Sequence, residues 1–148
     1  MNNVEWTPEW LAETIKLLRT HGSDTQFSEV KKAHGGYPGS LDATLSSFSN
    51  SSTGGIIICG LDENNDFAPV GVYDPADLEK TLGNKLRRGL KPPNTMESGT
   101  ILYEDAKIFV AAVPPLPPYE RPAYIGGKAY VRSGDGDHEM SRHETDLM

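Results

Sequence analysis

Asp24, Glu29, Lys31 and Asp62 put three carboxylates and an amine into two short runs, SDTQFSEVKK and the far end of GGIIICGLDEN. Hard divalent ions such as Mg²⁺ and Mn²⁺ take oxygen ligands, so Asp24, Glu29 and Asp62, if they converge, could hold one and activate water against a phosphodiester. Lys31 would then act as a fixed cation on the scissile phosphate. The same charges could equally form solvent-exposed ion pairs, which is the usual state of surface charges. Strand side chains alternate, so Glu29 and Lys31 share one face and Val30 takes the other. Asp62 ends an apolar run abruptly, placing an acid at the mouth of a buried strand, where binding groups collect. Asp24 and Glu29 are five apart and would face opposite ways in one continuous strand. They can meet only if Asp24 lies in the loop before the strand, which Gly22-Ser23 permits.

A second set is cationic. Lys80, Arg87 and Lys91 follow at steps of seven and four, with Lys85 and Arg88 beside them, and no acid follows Glu79 in this stretch. In a chain of net charge −7 and pI near 5.0, such a stripe is a candidate phosphate-contacting surface, with Arg121 and Arg132 as possible additions. Cations at a helix C-terminus also complement the macrodipole, which leaves a plain solvated face as the other reading. The acidic total argues against indiscriminate polyanion binding.

Other constellations are incomplete. Cys59 is the single cysteine, so an internal disulfide and a multi-cysteine metal site are excluded. His21, His34, His138 and His143 show no zinc spacing. HGGYPGS lacks the Gly-Lys-Ser/Thr ending of a phosphate-binding P-loop, and a calcium loop starting at DENNDF would have Phe67 where it needs Gly and Tyr73 where it needs Glu. GDGDHE is acidic without completing that pattern. Tyr119, Tyr124 and Tyr130 could stack bases, although packing on a sheet uses the same rings. No apolar run approaches the roughly 18 residues of a membrane span, and the first residues lack a secretory leader, so a cytoplasmic location and no membrane partner are expected.

The elements that must position these groups follow from periodicity. Thr7-Pro8 starts a helix whose apolar stripe of Trp10, Leu11, Ile15, Leu17 and Leu18 runs to His21-Gly22. Residues 25–32 read as a strand, and Ser40 caps a second helix with Leu41, Leu45 and Phe48 at helical spacing. IIICGL is a β-branched central strand, with FAPVGVY as its antiparallel partner across DENND. Asp74-Pro75 opens a third helix with Leu78, Leu82, Leu86 and Leu90 inward, stopped by Pro92 and Pro93. Strands at about 98–104 and 107–113, an extended PPLPPYERP and a hairpin turning at Gly126-Gly127 follow. Ser141 caps a helix that has hardly begun at Met148, which suggests a longer protein.

In order and spacing, these segments resemble the Schlafen-type AlbA-like domain. Its acid, Glu-hydrophobic-Lys pattern is similar to Asp24 with Glu29-Val30-Lys31, and its F-A-N-T-x-G-G helix end to Phe48-Ser49-Asn50 through Gly54-Gly55. Cys59-Gly60-Leu61-Asp62-Glu63, PVGV and RPAYIGGKAYVRSG resemble its later strands. The acid at 24 is Asp where the family more often has Glu, and the SNSSTGG loop is one residue longer. The resemblance implies an α/β (α+β) fold with a mixed, largely antiparallel sheet flanked by about three helices. It divides the chain into an N-terminal helix (1–20), the AlbA-like domain (21–135) and the start of a linker or helix (136–148). It also implies a nucleic-acid-binding regulatory domain of a bacterial protein that continues into an ATP-binding or winged-helix region. In Schlafen proteins the positions of Asp24, Glu29 and Asp62 form a carboxylate triad for metal-dependent RNA cleavage, so an endoribonuclease using Mg²⁺ or Mn²⁺ is the alternative. The acidic pI and proline-rich segment favour a third reading, a protein-binding or oligomerisation module, with a homodimer as one form it could take.

Overall fold

The computed structural model describes residues 5–134 and 136–148. In chain order they form α1 (Pro8–His21), β1 (Ser28–Lys31), α2 (Leu41–Asn50), β2 (Gly55–Cys59), β3 (Leu61–Asp62) and β4 (Ala68–Pro69). These are followed by α3 (Pro75–Asn84), a π turn (Lys85–Gly89), β5 (Leu90–Lys91), β6 (Glu97–Tyr103) and β7 (Ala106–Val113). The described chain closes with β8 (Tyr124–Ile125), β9 (Lys128–Ser133), β10 (Gly136–Glu139) and α4 (Arg142–Leu147).

Alternation in the apolar strands builds two cores on one sheet. The sheet runs β1-β2-β7-β6, with β1 parallel to β2 and the other pairs antiparallel. Val30, Ile58, Ile108 and Val110 point to one side and pack on Leu11, Ile15 and Leu18 of α1. Ile57, Cys59, Phe109, Ala111 and Val113 point to the other and pack on Leu41, Leu45 and Phe48 of α2 and Leu78 and Leu82 of α3. A second antiparallel sheet, β10-β9-β8-β5, closes over α2 from outside. An enclosed helix buries its polar side as well as its apolar one, and Thr44, Ser46, Ser47, Ser49 and Asn50 are all buried.

The helix start at Thr7-Pro8 is as expected: the Thr7 hydroxyl accepts the Trp10 N–H at 3.1 Å, and Gly22 closes α1 at φ +87°. Asp74 caps α3 by accepting the Asp77 N–H. Ser40 differs, being itself helical and making no side-chain capping bond. The predicted strand 25–32 shortens to β1 at Ser28–Lys31, because Thr25 and Ser28 close a tight turn on one another. The expected antiparallel pairing across DENND is present only as a short stretch at the end of the apolar run, Leu61 opposite Pro69 and Asp62 opposite Ala68 (β3 with β4), while β2 itself lies between β1 and β7. Long-range pairing decided this, since any apolar run of suitable length could have filled the place. The third helix ends at Asn84, not near Lys91; a π turn carries the chain on, and Leu86 and Leu90 are still buried.

Candidate functional site

β1 turns Glu29 toward α2 while Val30 enters the opposite core. Arg132, whose side chain is only 1% exposed, reaches Glu29 from β9. Its Nη1 donates to Glu29 Oε1 at 2.7 Å and to Asp137 Oδ1 at 2.9 Å, while Nη2 donates to the carbonyls of Thr25 and Ser28, both at 2.8 Å. The guanidinium also lies over the Phe48 ring, 5.1 Å from its centroid. Burial would lower the affinity of Arg132 for its proton, but the hydrogen bonds it donates to Glu29 and Asp137, with their charges, outweigh it and hold the group above its ordinary value. Thr44 completes the cluster, its one hydroxyl proton donated to Asp137 Oδ2 at 2.7 Å with Glu29 Oε1 also in reach at 3.3 Å, and the Ser47 hydroxyl donates to Asp137 Oδ1. The arrangement ties β1, α2, β9 and β10 together through one buried cation.

Asp24 sits in the turn before β1, which removes the parity conflict. Its Oδ1 accepts the Val30 N–H at 2.8 Å and its carboxyl hydrogen-bonds Glu29. Burial, then that hydrogen bond and the Glu29 charge, hold Asp24 well above the usual carboxylate range, against the lowering effect of the Val30 N–H. Lys31 Nζ stands 3.7 Å from Glu29 Oε2, so the expected pair on one strand face is present. Asp62 is engaged elsewhere. Its Oδ1 accepts the Asn64 N–H at 3.1 Å to cap a 3₁₀ turn, and Oδ2 is 3.8 Å from Lys32 Nζ.

This donor set does not fit a divalent ion. Among the described residues no three acidic, histidine or cysteine side chains are grouped to hold a metal. Glu29 already faces Arg132, Lys31 and Thr44, and Asp24 Oδ1 is taken by the Val30 N–H. Arg132, expected as an exposed phosphate contact, is instead buried at the centre of the cluster. Thr44, Ser47 and Asp137 belong to the same network and escaped sequence reading. The signal available was the run of hydroxyls and amide in TLSSFSN, too polar for a one-sided helix, and the acid in SGDGDHE. Asp135 of that run lies outside the described residues.

The cationic set is mostly at the surface. Lys80, Arg87, Arg88 and Lys91 are exposed. The π turn breaks the single helical stripe expected for Lys80, Arg87 and Lys91, and Lys91 lies on β5. Lys85 is partly neutralised, with Nζ 3.2 Å from Asp42 Oδ2 and 5.5 Å from the centroid of the Tyr37 ring. Arg121 is half-buried and donates from Nε to the Leu116 carbonyl at 2.9 Å, which ties it into its own loop. Beside α3 runs an open groove of about 400 Å³, with Lys80, Gly83, Arg87, Asn94 and Met96 among its lining. Arg88 and Lys85 edge a second hollow of about 390 Å³ at the end of the helix.

A family described as Schlafen, AlbA_2 matches residues 24–141, which contain both the buried ionic cluster and the cationic surface. Among solved structures, the N-terminal domain of a RecG-related protein from Nitrosomonas europaea superposes with a TM-score of 0.66 at 23% identity, covering 88% of this chain and 94% of that one. The DIP2311 protein of Corynebacterium diphtheriae gives a TM-score of 0.61 at 15% identity; 92% of this chain is covered, which is 31% of that protein. At these identities the likeness is one of fold, a mixed α/β arrangement dominated by antiparallel pairing. No curated protein matches the chain in sequence. Among the described residues no helix is long and apolar enough to cross a membrane.

Proposed function

Because the chain belongs to the Schlafen AlbA_2 family, we propose that it is a nucleic-acid-contacting domain serving a larger regulatory protein, and that its phosphate surface is the end of α3 with the π turn. One observation carries this reading. From Lys80 to Lys91 the chain has five cations and no acid, in a molecule of net charge −7; four of the five are exposed, and two of these, Lys80 and Arg87, line an open groove. Arg87 and Arg88 offer planar guanidinium forks suited to phosphate oxygens, and Lys80 and Lys91 offer point charges on flexible stems. The acidic remainder repels a polyanion, so contact is restricted to this face and orientation is selected by charge. The structural neighbour from Nitrosomonas europaea is described as related to an ATP-dependent DNA helicase, which agrees with a nucleic-acid setting. The buried Arg132 cluster has a positioning part in this reading: it fixes β9 and β10 against β1 and α2.

The test is fluorescence anisotropy of the full chain with labelled DNA and RNA over a salt series. Binding should weaken as salt rises, and Lys80→Glu with Arg87→Glu and Arg88→Glu should reduce the salt slope by about 0.9 per lost phosphate contact on duplex DNA, or about 0.7 on a single strand. No binding at low salt, or a triple variant with the wild-type slope, refutes the proposal.

A further inference from the structure

Gly83 lies inside α3, where glycine weakens a helix relative to alanine, yet its backbone is ordinary and no turn or left-handed conformation requires it. It faces the groove beside α3, and a Cβ built there would meet only the Met96 methyl, at 3.8 Å. The absent side chain therefore gives the groove its width. Ala76, Leu86 and Met96 supply apolar lining, Lys80 and Arg87 supply positive charge, and Glu79, which accepts from the Ser98 hydroxyl at 3.3 Å, supplies one carboxylate at the rim. Asn84 and Thr95 also line it, both exposed and with side chains that make no hydrogen bond within the described residues. A volume of about 400 Å³ falls within the range of about 300–1,000 Å³ typical of pockets for small molecules.

Resting on the nucleic-acid reading above, we infer that this groove takes an unpaired base, so that the domain prefers single-stranded nucleic acid to a duplex. A duplex keeps its bases paired and stacked, so none is free to enter the groove, and it meets the cations through its phosphates. A single strand can turn one base out, lay its face on the thioether and aliphatic groups, and leave its phosphates to Lys80 and Arg87. Asn84 offers both a donor and an acceptor for a base edge, and Thr95 a hydroxyl. No aromatic ring lines the groove, so stacking rests on Met96 and the Arg87 guanidinium plane.

The experiment compares anisotropy of the full chain with single-stranded oligo(dT) and oligo(rU) of about 12 nucleotides, the corresponding duplex, and an oligoglutamate peptide, at one salt concentration. Wild type should bind one or both single strands more tightly than the duplex, and the peptide least; the two oligomers separate DNA from RNA. Gly83→Leu fills the groove and keeps every cation, and should weaken single-strand binding about tenfold while changing duplex binding less than about twofold. Gly83→Ala should lose less, in the order of side-chain volume. Thermal unfolding of both variants should stay at or above wild type, since each replaces a helical glycine. Equal or tighter duplex binding, an unchanged single-strand affinity in folded Gly83→Leu, or an equal loss with the peptide overturns the inference while leaving the phosphate surface standing. Failure of every oligonucleotide to bind at low salt removes both.

Discussion

Arg132→Met removes the one cation between Glu29 and Asp137 and keeps most of the side-chain volume over Phe48. It leaves two carboxylates whose side chains are 7% and 11% exposed facing one another, and takes the donor from the Thr25 and Ser28 carbonyls. Breaking a buried pair by removing one partner costs about 3–5 kcal/mol, while the Thr25 and Ser28 carbonyls each keep the backbone N–H of their mutual turn. Lys31, 3.7 Å from the other Glu29 oxygen, and proton uptake by the carboxylates offset part of this. A net loss of about 4 kcal/mol is expected, a large part of the ~5–15 kcal/mol of a typical domain. For a chain of this size it corresponds to a fall in Tm of roughly 8–16 °C. Urea unfolding followed by circular dichroism measures it directly. Adding Glu29→Gln to Arg132→Met should restore part of the stability relative to the single variant, because one of the two carboxylates left facing each other is then neutral, with a coupling of at least about 1.5 kcal/mol. Glu139→Gln is the control: it breaks an exposed pair with Lys128, both partners more than half exposed, and should cost under about 1 kcal/mol. An Arg132→Met variant that loses less than about 1.5 kcal/mol, or a double variant whose losses simply add, would refute the account of the cluster as a charge-balanced unit.

Three further outcomes follow from the same geometry. Asp24 binds its proton more tightly when folded than when unfolded, so between the ordinary carboxylate value of 3.8 and the folded value of about 9 the native state holds a proton that the unfolded state lacks, and stability falls as pH rises through that window. Asp24→Asn mimics the protonated acid and should flatten the decline in Tm between about pH 5 and about pH 8; an unchanged slope counts against a protonated Asp24. Cys59 is fully buried and burial pushes its thiol up to about 12, so a thiol reagent should label the native chain only at the rate of opening and label it rapidly in denaturant. Gly55→Ala would place a Cβ 2.5 Å from the Phe48 ring and should cost about 1–3 kcal/mol by urea unfolding, with no loss expected only if that ring can move aside.

Much of the fold was legible because its signals are short-range. Thr7-Pro8 and Gly22 bound α1 through bonds made within four residues, and the alternation of Ile57, Ile58 and Cys59 assigns each side chain to a face. The pairing of Glu29 with Lys31 across one strand face is of the same kind. The order of strands was not legible, since β1, β2 and β7 find each other across long stretches of chain and their apolar runs carry no mark of which neighbour to choose. Nor was the extent of α3, where packing of Leu86 and Leu90 is kept through a π turn that the leucine spacing does not announce.

For the candidate sites, the residue types by themselves determined which chemistries were available: carboxylates near an amine, and a stretch of cations free of acids. Only the tertiary structure decided that Arg132, 103 residues from Glu29, would occupy the oxygens a metal would need, that Asp62 would turn to Lys32, and that Gly83 would open a groove beside Lys80 and Arg87. The physical reason is burial. Local sequence specifies backbone geometry and facing, but whether a charge ends in water or in a closed network depends on which distant strand closes over it, and that closure sets its partners and its proton affinity.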